Sequence, residues 1–200
     1  MIFLVRHGET IWNAEGRRQG RGDSALTDKG VAQSRAVGQR LKQLLAGEKR
    51  TKLVTSPAGR SRRTAAIIAE ELGIDQDRIQ ATPMLEEMDF GDWRGLTNDE
   101  IAEQFPDQWR ERQLNRWGFA YPGGESYPLL CSRVAQWMEN VEDAGGVTIA
   151  VTHQWTSRVI RGQYLKLPKQ EMFELMHDHG LIVQLHNGEE KVIQVEPAKT

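Results

Sequence analysis

Arg6, His7 and Gly8 stand in a row at the end of a short apolar run, Ile2-Phe3-Leu4-Val5. A permanent cation, an imidazole that can be neutral near pH 7 and a residue that lets the backbone turn tightly make a rudimentary anion site with a nucleophile or base in it. Three further places have the same character. His153 ends a second apolar run, Val147 to Thr152, and Arg60 follows Lys52-Leu53-Val54-Thr55 and the break at Ser56-Pro57. Glu86 and Glu87 follow Ile79 to Thr82, inside the acidic, aromatic, glycine-punctuated stretch Leu85 to Gly95. Each has an ordinary reading when taken alone: a strand-end histidine is usually a structural hydrogen-bonding residue, and an arginine opening a helix is usually solvated. Together they are harder to dismiss, because the carboxyl ends of parallel strands converge on one crevice.

The elements that would converge these residues follow from the hydrophobic pattern. Ile2–Val5 and Val147–Thr152 are unbroken apolar runs, as expected of strands buried on both faces. Helices are predicted over 28–45, with Thr27 as N-cap, and over 60–72, stopped by Gly73. Thr97-Asn98-Asp99-Glu100 reads as a capping box opening a short helix to Phe105, with a second piece from Pro106. Ser126 caps a long helix through Val141, and 154–164 and 168–176 read as two more. Leu181–Leu185 and Val192–Val195 are predicted as closing strands around the hairpin signal Asn187-Gly188, with the last five residues fraying. Residues 11–26 read as a polar loop carrying Arg17, Arg18 and Arg21. The order implies an α/β fold, a three-layer α/β/α sandwich whose mostly parallel sheet ends in an antiparallel edge. The organisation expected is a single domain over 1–200, with 96–122 as a small helical cap.

Composition narrows the function. With 26 Lys plus Arg against 28 Asp plus Glu, the net charge of −2 gives no global reason to expect nucleic acid or an anionic membrane as partner. Cys131 is the only cysteine, so an intramolecular disulfide is impossible, and its apolar neighbours suggest packing. No stretch approaches the length of a transmembrane helix, and the opening apolar run is too short for a signal peptide, so a cytoplasmic location is the expectation. His177-Asp178-His179 reads as a turn rather than a metal pair, since metal ligands need convergent partners. Trp109, Trp117 and Trp137 at helical spacing read as core rather than as a base-stacking platform. Arg62 and Arg63 are expected in solvent, because a helix cannot aim three neighbours at one point.

Taken in order, these motifs resemble the histidine phosphatase, or phosphoglycerate-mutase-like, superfamily. The opening Leu4-Val5-Arg6-His7-Gly8-Glu9-Thr10 with Asn13 is similar to that family's start. Ser56, Pro57, Arg60, Thr64 and Ala65 match its second motif; Leu85, Glu87, Gly91, Trp93 and Gly95 its third; Gly123 to Ser126 its Gly-Gly-Glu-Ser turn; and His153 its second histidine. The chain departs from the pattern at Ser61, where Ala is usual, and at Gln154-Trp155, where Gly usually follows the histidine.

The resemblance implies that His7 attacks phosphorus and becomes a phosphohistidine. Arg6, Asn13, Arg60, His153 and the Gln154 backbone N–H would surround the phosphoryl oxygens, and Glu87 rather than Glu86 would protonate the leaving oxygen. With guanidinium groups carrying the charge, no metal and no cofactor are expected. Mutases of the family carry a longer insertion with a Tyr and paired Arg residues; here Phe90 replaces that Tyr, and Arg110 and Arg112 are not adjacent. The expectation is therefore a phosphatase of a small phosphorylated metabolite such as a sugar phosphate, a phosphoglycerate-like acid, phosphoserine or the nucleotide-loop phosphate of cobalamin assembly. The alternatives are a cofactor-dependent phosphoglycerate mutase or a weakly active module that binds a phosphorylated ligand. A homodimer is the one self-association allowed for.

Overall fold

The structure is a computed structural model that describes residues 1–48, 50–142 and 145–195; the last five residues, for which fraying was expected, lie outside that range. Six strands form one sheet: β1 (Ile2–Arg6), β2 (Thr51–Thr55), β3 (Gln80–Ala81), β4 (Val147–Thr152), β5 (Leu181–His186) and β6 (Glu189–Gln194), in the order β3-β2-β4-β1-β5-β6. β3, β2, β4 and β1 run parallel; β5 pairs antiparallel with β1 and β6 antiparallel with β5. The antiparallel edge is made by the turn Asn187-Gly188, whose positive φ angles of 51° and 78° suit a two-residue hairpin.

Alternation along β1 divides the core. Phe3 and Val5 face a layer of α2 (Asp28–Leu44) and α3 (Gly59–Leu72), which bury Val37, Leu41, Ala65 and Ile68. Ile2 and Leu4 face the opposite layer, where α6 (Tyr127–Glu142) and α7 (Gln154–Tyr164) contribute Leu130, Val134, Trp137, Val159 and Ile160. α4 (Asn98–Gln104), opened by the expected Thr97–Glu100 capping box, and α5 (Pro106–Leu114) add Ile101 and Trp109 on that side.

Register sets the site. Arg6 pairs with Thr152 and Val54 with Ala150, so His7, Ser56 and His153 leave neighbouring strands at nearly the same level. Gly8 lies so close to the backbone of Gly30 that a Cβ on either would strike the other segment's carbonyl, which ties the turn after β1 to the start of α2.

Four boundaries differ from the pattern-based expectation. β3 is two residues rather than four, because only Val54 and Thr55 of β2 offer it a ladder. Residues 11–26 are not wholly loop: α1 (Ile11–Ala14) is held by a capping box in which Thr10 and Asn13 bond reciprocally. The hairpin pairing continues to Glu189, so β6 begins earlier than the apolar Val192, and α8 (Lys169–Glu174) stops before Met176 because Leu175 is already extended.

Candidate active site

At the carboxyl edge of β1 and β2 lies a cavity of about 150 Å³, lined by Arg6, His7, Asn13, Arg17, Arg18, Gln19, Gly20, Arg60, Glu87, Phe90, Gln154 and Trp155. It holds four guanidinium groups against one carboxylate, the charge balance of an anion receptor.

His7 is buried at the head of the turn after β1, and its Nδ1 lies 2.8 Å from the Gly8 carbonyl oxygen. A carbonyl only accepts, so Nδ1 carries the proton and the neutral ring keeps its lone pair on Nε2. Burial, reinforced by Arg60, His153, Arg6 and His179, holds the His7 pKa well below its ordinary value. The ring therefore stays neutral and nucleophilic through physiological pH.

His153 stands edge-on to His7, with ring centroids 5.1 Å apart. Arg60 Nη2 donates to its Nδ1 at 3.0 Å, and Ser61 Oγ lies 3.3 Å from its Nε2. Since a guanidinium only donates, His153 is neutral with its proton on Nε2, and burial with Arg60 and Arg6 drives its pKa down as well. Both of its nitrogens lie within hydrogen-bonding distance of α3 side chains, and the ring is fully buried beside His7. The hydroxyl of Ser61, one of the departures from the family pattern, makes that second contact.

Arg60 opens α3, whose N-cap Ala58 supplies no side-chain acceptor. Asp23 substitutes, accepting from the Arg60 N–H at 3.2 Å and from Nη1 at 3.1 Å. The carbonyls of Gly22 and Gly20 accept from Nη1 and Nη2 at 2.5 and 2.8 Å, so the fork is fixed before any ligand arrives. Arg6 donates to Gln154 Oε1 at 3.3 Å and to the His177 carbonyl at 3.1 Å, and its Nε is buried with no acceptor. Burial pushes its pKa down to about 10, so it remains a cation.

Glu87 and Glu86 part company. Glu86 turns outward to Arg21 at 3.1 Å. Glu87 lines the cavity and accepts backbone N–H bonds from Trp155 and Thr156 at 3.2 Å and from Met88 at 3.0 Å. It is thereby the cap of α7, whose own N-cap, His153, provides none. Asn13 lines the cavity with its Oδ1 engaged by Thr10, which leaves its amide NH₂ outside the capping box. The Gln154 side chain lines the cavity too, spanning Arg6 and the His177 N–H.

Sequence reasoning did not single out Arg17, Arg18 or Gln19 as cavity residues, nor the loop after α8. His179, read as part of a turn, places Nδ1 2.7 Å from the His7 carbonyl oxygen, with its ring 5.3 Å from that of His7. His177 is buried between Ser157 Oγ at 2.6 Å and the Leu181 carbonyl at 3.2 Å. Both ring nitrogens of His177 are thus engaged and one of His179, and Arg62 and Arg63 are exposed as expected.

Comparison with known proteins bears on the family and the fold. The model of the histidine phosphatase superfamily (branch 1) matches residues 2–196. A Photorhabdus laumondii protein named "Probable phosphoglycerate mutase GpmB" is 36% identical over 170 residues, covering 84% of this chain and 75% of that protein. A protein of the same name from Salmonella paratyphi C is 41% identical over 134 residues, 66% of this chain, and the match spans only 59% of that relative's length. The crystal structure of the alpha-ribazole phosphatase from Shigella flexneri superposes with a TM-score of 0.79 at 22% identity, over 97% of this chain and 95% of the other, a likeness of fold. With the motifs in order, the site at the strand ends and the family match running almost end to end, the chain belongs to the histidine phosphatase superfamily.

Proposed function

We propose that the protein is a metal-independent phosphatase acting on a small phosphomonoester in the cytoplasm, through a phosphohistidine at His7. The observation that carries this reading is the His7 ring, held neutral by its surroundings with Nδ1–H anchored on Gly8 and its lone pair on Nε2. In the first step the Nε2 lone pair forms a bond to phosphorus as the ester P–O bond breaks. The leaving oxygen takes a proton from the Glu87 carboxyl. In the second, Glu87 takes a proton from water, the water oxygen attacks phosphorus, and the P–Nε2 bond breaks to release inorganic phosphate. Arg6, Asn13 and the Nε–H of Arg60, which has no protein acceptor among the described residues, face the equatorial oxygens, where a loose phosphoryl transition state concentrates charge. His153, edge-on to His7 with its proton on Nε2, would contact the same oxygens. Residues 96–122 form the cap that limits what can enter.

The test is rapid acid-free quenching during turnover of a ³²P-labelled ester, with p-nitrophenyl phosphate assayed in EDTA. Label on His7, lost in His7→Asn, with activity that survives the chelator, is expected. Glu87→Gln should cost about 10²- to 10⁴-fold in kcat for an alkyl ester. An unlabelled His7 during steady turnover would overturn the mechanism, and a fully active Glu87→Gln protein would overturn the choice of acid.

The relatives named as phosphoglycerate mutases favour one second reading, transfer of the phosphoryl group to a second hydroxyl. Partition decides it: label in inorganic phosphate supports the phosphatase, and label returned to phosphoglycerate supports the mutase.

A further inference from the structure

Thr64 and His179 grip opposite ends of one peptide unit, the one that joins His7 to Gly8. The Gly8 N–H donates to Thr64 Oγ1 at 3.0 Å, and the His7 carbonyl accepts from His179 Nδ1–H at 2.7 Å. Neither contact takes part in the catalytic scheme, but their place gives them a task. The His7 ring takes its tautomer from the Gly8 carbonyl, which accepts from Nδ1–H at 2.8 Å. Glycine is the residue whose torsions are least restrained, so by itself it would hold that carbonyl loosely. With the peptide before it held at both ends and Gly30 packed against its Cα, the Gly8 carbonyl is left one direction.

The loop that carries His179 is itself stapled to α7. Gln154, Ser157, Arg158 and Arg161 share one face of that helix by their i, i+3, i+4 spacing. Gln154 Oε1 accepts from the His177 N–H at 3.0 Å, and Ser157 Oγ donates to His177 Nδ1 at 2.6 Å. Arg158 Nε donates to the Leu175 carbonyl at 3.0 Å, and Arg161 Nη1 to the Met176 carbonyl at 2.5 Å. Arg161 is fixed in turn by a bidentate pair with Glu190 at 2.6 Å. Burial pushes the His179 pKa down to about 4, so the ring holds the His7 carbonyl as a neutral donor and adds no cation beside the nucleophile.

Resting on the phosphatase reading, we infer that His179 is a positioning residue for the nucleophile. Its Nδ1–H fixes the His7–Gly8 peptide, the Gly8 carbonyl then keeps the proton on His7 Nδ1, and the lone pair stays on Nε2 for phosphorus. His179 is not among the residues that line the cavity, so it acts through the His7 backbone. The groups that bind the phosphoryl oxygens are untouched by its loss, which therefore falls on kcat more than on KM.

The test replaces His179 by Leu, which cannot donate, and by Asn, whose amide nitrogen takes the place of Nδ1. On p-nitrophenyl phosphate His179→Leu should lose about 10²-fold in kcat, the scale for a reacting group displaced by about 1 Å, with KM within about threefold. His179→Asn should recover most of that loss. Where leucine prevents folding, His179→Ala gives the same comparison. A fold defect alone would not move the second readout, ¹⁵N NMR of the histidine rings in the unliganded protein, with His7 assigned by the signals missing in His7→Asn. Wild type and His179→Asn should show His7 with one protonated nitrogen, Nδ1, and one bare nitrogen; in His179→Leu the two signals should draw together as the tautomers mix. An unchanged kcat in His179→Leu overturns the inference. So does a loss of kcat with His7 signals like those of the wild type, which marks a structural role. If the wild type turns over no ester, the phosphatase reading falls and the ring signals alone decide: mixed tautomers in His179→Leu uphold the positioning role, and unchanged signals overturn it.

Discussion

Two sets of arginines lie within the same stretch of surface and are treated in opposite ways. On the rim, Arg21 meets Glu86 at 3.1 Å, Glu125 at 3.3 Å and Asp89 at 3.6 Å. Arg94 meets Asp89 at 3.0 Å, and Arg133 meets Glu125 at 3.0 Å while donating to the carbonyls of Met84 and Glu86 at 2.8 and 2.9 Å. On the cavity wall Arg17 is paired with Glu15 and Glu100, but Arg6 and Arg18 have only neutral hydrogen-bond acceptors among the described residues, and each keeps a buried Nε unpaired, as Arg60 does. Arg60 stands between the two, with one acid, Asp23, and two carbonyls. The rim network neutralises itself and fixes the loop that carries Glu87. The wall retains uncompensated positive charge, which disfavours the empty protein and becomes useful when a phosphoryl group enters.

The contrast is broken or sharpened most forcefully by removing one cation from each set. Arg6→Met should lower kcat/KM by about 10³-fold, as for the loss of one donor to a charge that develops in the transition state. Its melting temperature should stay level or rise, because a buried cation without an acid gives way to an apolar side chain. Arg133→Met should do the reverse. It leaves turnover within about threefold but costs about 2 kcal/mol, a drop of about 4–8 °C in Tm. Equal melting temperatures for the two variants would erase the distinction between the sets.

Much of this was legible in the sequence. The runs ending at Arg6 and at His153 could hardly be anything but central parallel strands, and a strand end in such a sheet is a site by topology. Glu87 was chosen over Glu86 by spacing to Gly91 and Trp93, and the structure supplies a physical reason for their separation: Glu87 caps α7 while Glu86 faces Arg21. What sequence could not show depends on long-range contact. Of the adjacent Arg17 and Arg18, only the fold shows which meets acids and which does not. His179 bonds to the carbonyl of a residue 172 positions away, and no local pattern announces that. The four-residue α1 escaped because it is held by the Thr10–Asn13 box and has no apolar periodicity.

The uncompensated wall also makes a prediction about acid. Burial, with help from Arg6 and Arg60, depresses His7 and His153 well below the ordinary histidine value; His177 and His179, also buried, are pushed down to about 3 and about 4. Above the unfolded-state value of about 6.5 both states are neutral and nothing is lost. As pH falls below it, the unfolded chain takes up protons that the folded protein refuses, so stability declines toward the folded values. Each such histidine contributes a slope of up to about 1.4 kcal/mol per pH unit between pH 6 and 4. Chemical unfolding at pH 7, 6 and 5 should show the fall, and His177→Asn should make it shallower by one proton. A stability flat across that range would mean the rings are readily charged in the folded state.

The smallest expected effect belongs to a cation that is neither on the wall nor in the rim network. Arg110 and Asp107 face each other along α5 at 3.4 Å, with side chains 73% and 93% exposed. Water already solvates both charges, and holding two long side chains together costs entropy that offsets the weak attraction. Arg110→Gln should therefore shift Tm by about 1 °C or less and leave kcat/KM on p-nitrophenyl phosphate within about twofold. A larger loss of turnover in Arg110→Gln would mean that the positive charge felt by the substrate is spread over the cap. The difference between wall and surface would then be one of degree.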